Sequence, residues 1–258
     1  MVVIGNIFNY FFVFMSHSVF NLLLKIGVFR KIFNYFKSLK SVQKEILKGM
    51  IFNNTISDSE WLKYKSFSPG AWAADYGLLY TLYRVLNGMK PQKVLEFGLG
   101  QSSKMIHQYG NYYNISTLTY EHDDNWISFF KNEVEGKYKV NITRKDICTV
   151  KYKNFETLTY NHCLEGIENE KFDMILVDGP FGRPHYSRPQ IIDIIKDNLA
   201  DSFCIIIDDT DRPGELETAT EVRDVLAKKG INSLFHTYSS SKKHTLICSE
   251  DLKFLTSL

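Results

Sequence analysis

Short apolar runs alternate with helix-length amphipathic segments through most of this chain, and that alternation constrains the fold more than any other feature. The strand-like runs include residues 94–97, 172–177 and 203–207, which are almost wholly apolar. Strands that alternate with helices predict βαβ units. Nearly continuous apolar strands further predict a parallel sheet with helices on both faces. The sequence therefore predicts an α/β, Rossmann-like domain.

The end of the chain departs from this alternation. Residues 231–238 and 244–248 both have strand character, and only five polar residues, 239–243, separate them. A link this short cannot hold a crossover helix, so the two strands are expected to pair antiparallel. The prediction is a mostly parallel sheet with an antiparallel last strand, in a domain that covers residues 65–258.

The first 64 residues are predicted to form a helical extension. Residues 1–24 contain no Asp, Glu, Lys or Arg, and five basic residues follow by position 40. Three interpretations stay open: a helix lying on a membrane or on the protein body, a packing or oligomer-contact helix, and a spanning anchor. A start at Met15 would remove most of the apolar run. A membrane contact through residues 1–40 would place the domain at the inner face of the plasma membrane.

The charge balance and the cysteines narrow the functional classes. The net charge is +2, whereas nucleic-acid-binding domains usually carry a concentrated basic surface, so no nucleic-acid partner is expected. None of the four cysteines lies in a CxxC pair. Buried, reduced thiols in a cytoplasmic protein are therefore expected.

A glycine turn follows the first strand of the domain, in the stretch Val94-Leu-Glu-Phe-Gly-Leu-Gly-Gln-Ser-Ser-Lys104. Gly98 and Gly100 occupy the first two positions of a nucleotide-binding turn, but Ser103 stands where a dinucleotide fingerprint has its third glycine. This substitution weakens the case for NAD. Glu96 suits a cationic ligand group better than a pyrophosphate, and Ser102 or Ser103 could cap the helix or bind a ligand carboxylate.

An acidic residue ends the second strand. Glu121 lies 21 residues after Gly100, and a carboxylate at this place can accept hydrogen bonds from both ribose hydroxyls of an adenosine. Asp146, after the third strand, is a candidate contact for the adenine amino group, or simply a turn cap. The sequence therefore predicts an adenosine-containing ligand.

These stretches, "VLEFGLG", "TYEHD", "FDMILVDGP" and "IIIDD", together with the terminal hairpin, resemble those of class I S-adenosylmethionine-dependent methyltransferases. The resemblance covers roughly residues 65–250 and implies a seven-stranded sheet. It also implies that Glu96, Gly98 and Gly100 surround the methionine part of the cofactor and that Glu121 holds its ribose. Ser102 departs from the family pattern, which has glycine at that position.

Carboxylates follow two more strands. Asp178 ends one, and Asp208 and Asp209 end the next. The carboxyl ends of parallel strands share one edge, so these acids should converge there, and oxygen ligands suit Mg²⁺. The set is similar to that of metal-dependent O-methyltransferases, including those acting on sugars. The alternative is helix capping by Asp208 or Asp209 and a turn at Asp178.

The loop 178–189, "DGPFGRPHYSRP", carries the candidate substrate residues. Arg183 and Arg188 indicate an anionic acceptor, and His185 is a candidate general base beside Asp178 and Asp209. The loop also resembles that of polysaccharide uronic-acid O-methyltransferases. The predicted function is metal-assisted O-methylation of a glycan or sugar, anionic or lipid-linked, as in surface polysaccharide biosynthesis. The alternatives are an aminopropyltransferase-like enzyme and a non-catalytic membrane-attached scaffold.

Overall fold

The computed structural model describes residues 27–70 and 73–258. The chain divides into two compact units, with the boundary between Ile46 and Leu47. The apolar run 1–24 and the alternative start at Met15 lie outside the described residues. Within the described ranges, no helix has the length and apolar character needed to cross a bilayer.

Nine strands are present in the described part of the chain. In chain order they are β1 (Lys93–Phe97), β2 (Ser116–Glu121), β3 (Ile142–Arg144), β4 (Ile147–Tyr152), β5 (Phe155–Tyr160), β6 (Phe172–Val177), β7 (Leu199–Ile207), β8 (Ser233–Ser239) and β9 (Lys243–Ser249).

Seven of these strands form one sheet in the order β3-β2-β1-β6-β7-β9-β8. Every pair from β3 to β7 is parallel, and β9 is antiparallel to both of its neighbours. The last strand reverses because residues 240–242 form a tight link, in which Ser240 N donates to the Lys242 carbonyl at 2.8 Å. The predicted seven-stranded, mostly parallel sheet with an antiparallel last strand is confirmed.

Helices cover both faces of the sheet. The α-helices of the described part are α1 (Gly27–Thr55), α2 (Tyr76–Met89), α3 (Gln101–Tyr113), α4 (Asp124–Val134), α5 (Gln190–Asp197) and α6 (Pro213–Lys228), and a 3₁₀ helix spans Glu250–Ser257.

Alternate residues of each buried strand supply two separate cores. In β6, Met174 and Leu176 face the core formed with α2, α3 and the 3₁₀ helix. Ile175 and Val177 face the opposite core, which contains α5 and α6. Because successive strand side chains point to opposite faces, an almost wholly apolar strand is what a two-sided sheet requires. Helix α2 begins at Tyr76, where the Asp75 side chain caps it by accepting from Leu78 N.

A two-stranded antiparallel sheet stands outside the main sheet and was not predicted. It consists of β4 and β5, joined by Lys153 and Asn154. Both residues have positive φ, 45° and 72°, as a tight hairpin turn requires. Tyr160 of β5 packs against β1 and β2 in the α5–α6 core. The hairpin thus occupies the chain segment between β3 and β6, where the alternation would otherwise call for a helix.

All four cysteines lie in the described part and are free. Cys163, Cys204 and Cys248 are buried, and Cys148 is half-buried. Burial raises the pKa of the Cys163 and Cys248 thiols to about 11, and it raises the pKa of the Cys204 thiol as well. These three thiols therefore stay protonated and behave as small apolar side chains.

Candidate active site

The carboxyl ends of β1, β2, β6 and β7 lie together at one edge of the sheet because all four strands are parallel. The strand hydrogen bonding continues past the strand ends into the loops. Gly98 N donates to the Tyr120 carbonyl at 2.9 Å, and Asp178 N donates to the Phe97 carbonyl at 2.8 Å. We call this edge the rim: residues 97–100, 121–123, 178–180 and 208–210.

The glycine turn is tight at one residue and open at the other. Gly98 has φ +97°, and a Cβ there would lie 2.7 Å from the Asp178 carbonyl oxygen, so this position requires glycine. At Gly100, by contrast, no described atom beyond its neighbours comes within 4 Å of an added Cβ. Gly100 N donates to Ser103 Oγ at 2.9 Å. Ser103 therefore stabilises the start of α3, and the space beside Gly100 can admit a ligand.

Glu96 lies beneath the turn in a buried polar network. Its carboxylate accepts from Ser102 Oγ at 2.6 Å and from Thr119 Oγ1 at 2.7 Å. The ring nitrogens of His107 lie 3.1 Å from Thr117 Oγ1 and 3.1 Å from Thr119 Oγ1. Ser102 thus binds Glu96, and His107, which the sequence did not single out, completes the network.

Burial raises the pKa of Glu96 from its ordinary 4.5 to about 7, against the opposing effect of its serine and threonine donors. A carboxyl whose pKa rises on folding contributes stability that is complete below its unfolded pKa and is lost as the pH climbs to the folded one. We therefore expect the free energy of unfolding to fall by on the order of 3 kcal/mol between these two pKa values on account of Glu96.

Urea unfolding across this pH range tests the expectation. Glu96→Gln should flatten the pH profile, because its amide does not titrate. Glu135→Gln, an exposed position at the end of α4, is the matched control and should leave the profile unchanged. If the Glu96→Gln and wild-type profiles remained parallel, the raised pKa would be contradicted.

Glu121 links the end of β2 to the glycine turn. Its Oε2 accepts from Leu99 N at 3.0 Å, and its Oε1 accepts from His122 N at 2.6 Å and Asp123 N at 3.0 Å. Glu121 as a whole is 5% exposed. The acid predicted to hold a ribose and the turn predicted to border the cofactor are therefore within hydrogen-bonding distance of each other.

Asp146, the candidate adenine contact, lies two residues after β3. Its side chain is exposed and forms an ion pair with Arg144 at 2.7 Å. Arg144 also pairs with Asp124 at 3.0 Å, and this guanidinium lowers the pKa of Asp146. The adenine role of Asp146 stays a prediction.

Asp178, Asp208 and Asp209 converge as predicted. Each offers a carboxylate oxygen, and these atoms lie within 4.8 Å of one another. Both oxygens of Asp208 and Oδ1 of Asp209 are buried without a hydrogen-bond partner among the described residues. Buried polar atoms are normally hydrogen-bonded, so such a cluster needs a proton, a cation or a ligand to complete it.

Three basic side chains face these carboxylates. Arg188 is 4% exposed, and its Nη2 lies 3.1 Å from Asp209 Oδ2 and 3.5 Å from Asp178 Oδ1. Arg212 Nη1 lies 3.2 Å from Asp209 Oδ2, and Lys242 Nζ lies 3.5 Å from Asp209 Oδ1. Basic side chains of the chain itself thus balance part of the negative charge of the cluster. Arg188, predicted to bind substrate, lies buried among the acids.

The charges of the cluster set its protonation. Burial raises the pKa of Asp178 to about 6, Arg188 opposes this rise, and Asp209 adds to it. Burial and the neighbouring Asp178 and Asp209 raise the pKa of Asp208 well above its ordinary value. Burial and the neighbouring carboxylates therefore favour the protonated form of Asp208.

Three residues in or near this cluster have a positive φ. Asp209 and Arg188 both have φ +60°, and Tyr186 has φ +43°, which is uncommon for residues with a Cβ. Such conformations cost ~1–3 kcal/mol each and persist where the surroundings fix them, most often at functional sites. The strain supports a functional role for Asp209 and for the loop 178–189.

The other loop residues are placed differently. Arg183 is exposed, and its backbone N donates to Ser187 Oγ at 2.5 Å. The His185 ring stacks on Phe155 with centroids 4.1 Å apart, and its Nδ1 lies 3.1 Å from Glu217 Oε1. The structure thus ties His185 to β5 and α6. The catalytic role of His185 and the substrate role of Arg183 stay predictions.

Tyr160 lies against the rim, and the sequence did not single it out. Its ring stacks on Phe97 at 6.0 Å, and its hydroxyl lies 2.7 Å from where a Cβ on Gly179 would be. The signal was present only in the strand-like stretches on either side of Lys153 and Asn154, because Asn154 favours a positive φ and Lys153 does not. The pairing of β4 with β5 brings this tyrosine to the glycine turn.

No protein-family model matches the chain, and no curated protein matches it. Among solved structures, it is similar to a methyltransferase from Pyrococcus furiosus, with 13% identity, a TM-score of 0.47, and 79% of this chain and 96% of that one covered. It is also similar to an O-methyltransferase from Bacillus cereus in complex with SAH, with 12% identity, a TM-score of 0.45, and 81% of this chain and 91% of that one covered. A third similar structure is an SAH-bound methyltransferase from Podospora anserina, with 14% identity, a TM-score of 0.44, and 77% of this chain and 96% of that one covered. At these identities the contacts of the site itself carry the functional argument.

Proposed function

We propose that this chain is an S-adenosylmethionine-dependent O-methyltransferase. The observation that carries the proposal is the contact between Glu121 and Leu99 N at 3.0 Å, which joins a strand-end acid to an open glycine turn. A ligand with ribose hydroxyls and an amino acid tail would use both. Glu121 would hold the ribose, and Gly98 and Gly100 would border the tail.

The cofactor would supply an electrophilic methyl group, and the chain must position a hydroxyl and take up its proton. Of the three clustered acids, Asp178 has the most exposed side chain, at 17%, against 5% for Asp209. Asp178 is therefore the acid that an acceptor hydroxyl can reach, and it is our candidate proton acceptor. Placing the hydroxyl in line with the methyl group would lower the barrier by orientation.

The acid cluster fits a divalent metal ion in its donor set. Its three carboxylates converge within 4.8 Å, and their unpartnered oxygens are the hard ligands that Mg²⁺ prefers. A bound ion would lower the pKa of the acceptor hydroxyl. Asp178, Asp208 and Asp209 would hold it, with Arg188 and Lys242 setting the net charge of the site.

Metal binding is testable without turnover. We expect calorimetry to detect Mn²⁺ binding to the wild type, and Asp208→Asn to weaken it by at least about tenfold, since even indirect contacts to metal sites cost that much. Asp193→Asn, in an exposed pair with Lys196 on α5, is the matched control. Full methyl transfer in the presence of chelator, or equal Mn²⁺ binding by Asp208→Asn, would remove the metal from the proposal.

A glycan acceptor is supported by a groove beside the loop 178–189. It has a volume of about 490 Å³, and its lining includes Tyr186, Glu217, Glu221 and Asp224. Carboxylates accept hydrogen bonds from sugar hydroxyls, and an aromatic ring packs on a sugar face. Arg183, exposed on the same loop, would contact an anionic sugar. Surface polysaccharide biosynthesis at the inner face of the plasma membrane is the setting we propose.

The decisive experiment has two steps. The first measures S-adenosylhomocysteine binding by calorimetry, and its absence would reject the cofactor. The second follows labelled methyl transfer from S-adenosylmethionine onto glycan extracts from the source cells, with protein and lipid fractions as parallel acceptors. An aminopropyltransferase would instead label polyamines from decarboxylated cofactor, and the cations Arg188, Arg212 and Lys242 in the acid cluster speak against a cationic acceptor there.

A further inference from the structure

We propose that residues 27–46 of α1 bind an anionic lipid surface, lying in the plane of the membrane interface. This segment contributes no residue to the rim. Its binding to a membrane can therefore be tested separately from methyl transfer.

Net positive charge is concentrated in this segment. One acidic residue, Glu45, lies within it, and its basic residues are Arg30, Lys31, Lys37, Lys40 and Lys44. Five positive charges against one negative charge leave the segment at +4, whereas the whole chain carries +2. The remainder of the chain is therefore −2, and an anionic surface would repel it. Electrostatic attraction to such a surface is therefore expected chiefly from this segment.

Apolar side chains are exposed along the same segment. Phe29 and Ile32 are 38% and 36% exposed, and Val42 and Ile46 are 52% and 59% exposed. With 3.6 residues per turn, positions three, four and seven apart share a helix face, which places Ile32 with Phe29, and Ile46 with Val42. Half-exposed large apolar groups in an ordered helix mark an interaction surface.

The basic residues flank this apolar face. Arg30, Lys37 and Lys44 recur every seven residues, so they form one stripe along the helix. At about 100° per residue, this stripe borders one edge of the apolar face, and Lys31 lies at the opposite edge. Long basic side chains at both edges of an apolar face can reach lipid headgroups while the apolar face enters the acyl boundary.

The same charges argue against a second copy of the chain as the occupant. Two such segments packed together would each bring a net charge of +4 to one interface, and like charges placed together disfavour association. An anionic lipid surface instead supplies the opposite charge at every point of contact. We therefore assign the face to lipid and make self-association an outcome of the test.

The test is co-sedimentation of the full chain with two kinds of vesicle, phosphatidylcholine alone and phosphatidylcholine mixed with phosphatidylglycerol in equal parts. We expect stronger binding to the mixed vesicles, and a decline as salt is added. The triple variant Arg30→Glu, Lys37→Glu, Lys44→Glu should bind at least about a hundredfold more weakly, since each basic residue near an anionic surface contributes about a fivefold factor. Hydrogen exchange in residues 27–46 should slow when the mixed vesicles are added.

The matched control reverses three exposed lysines elsewhere, Lys63→Glu, Lys131→Glu and Lys228→Glu, with the same change in net charge. It should bind the mixed vesicles nearly as well as the wild type does. Equal binding by the two triple variants would overturn the inference, as would unchanged binding by Arg30→Glu, Lys37→Glu, Lys44→Glu. A wild-type chain that ignores both vesicles and self-associates through residues 27–46, with Ile46→Asp dissociating it, would also overturn it.

Discussion

Replacing Glu121 by alanine is expected to lower the affinity for S-adenosylhomocysteine by about a hundredfold or more. Hydrogen bonds to a charged group are worth about 1.5–3 kcal/mol each, and a ribose offers two hydroxyls to this carboxylate. The carboxylate also accepts from Leu99 N, His122 N and Asp123 N. Its loss would therefore loosen the turn that borders the ligand as well as remove the ribose contact.

Calorimetry at several cofactor concentrations is the direct measurement. Glu121→Gln keeps one acceptor oxygen and should show an intermediate loss, which separates ribose binding from a collapsed turn. Glu135→Ala removes an equal charge from an exposed position and should bind as the wild type does. Thermal unfolding of each variant without ligand establishes that the fold is retained. Wild-type affinity in Glu121→Ala would contradict the assignment of this acid.

Replacing Arg188 by methionine is expected to destabilise the fold by about 3–5 kcal/mol, the cost of leaving buried charges without their partner. Arg188 lies 3.1 Å from Asp209 and 3.5 Å from Asp178. It also donates to the Pro180 carbonyl at 3.0 Å, so it holds the loop 178–189 as well as the acids. Methionine fills a similar volume without charge.

Urea unfolding near neutral pH measures this loss. The deficit should shrink as the pH falls, because losing the opposing charge of Arg188 raises the pKa of Asp178 further above its wild-type value of about 6, and the folded variant then takes up this proton at a higher pH. Arg223→Met, an exposed arginine paired with Asp224, should cost no more than about 0.5 kcal/mol. If Arg188→Met were as stable as Arg223→Met, the inference that Arg188 balances the buried carboxylates would be contradicted.

The residue pattern predicted most of the sheet correctly, and the errors have local causes. The third strand, β3, is only Ile142–Arg144, because it is an edge strand that pairs with three residues of β2. The segment between β3 and β6 had no predicted element. Its hairpin depends on Lys153 and Asn154 adopting positive φ, and lysine is not a residue that signals this conformation.

The sequence by itself determined which residues stand at the carboxyl ends of the strands: Gly98, Glu121, Asp178 and Asp208. Side-chain periodicity is a local property, and parallel strands bring their carboxyl ends to one rim whatever the loops contain. The partners of those residues were decided by the tertiary structure alone. Arg188 reaches Asp209 across 21 positions of chain, and Thr119 reaches Glu96 across 23. Contacts of this range depend on how the loops pack and on which charges burial makes costly, and no short stretch of sequence specifies either.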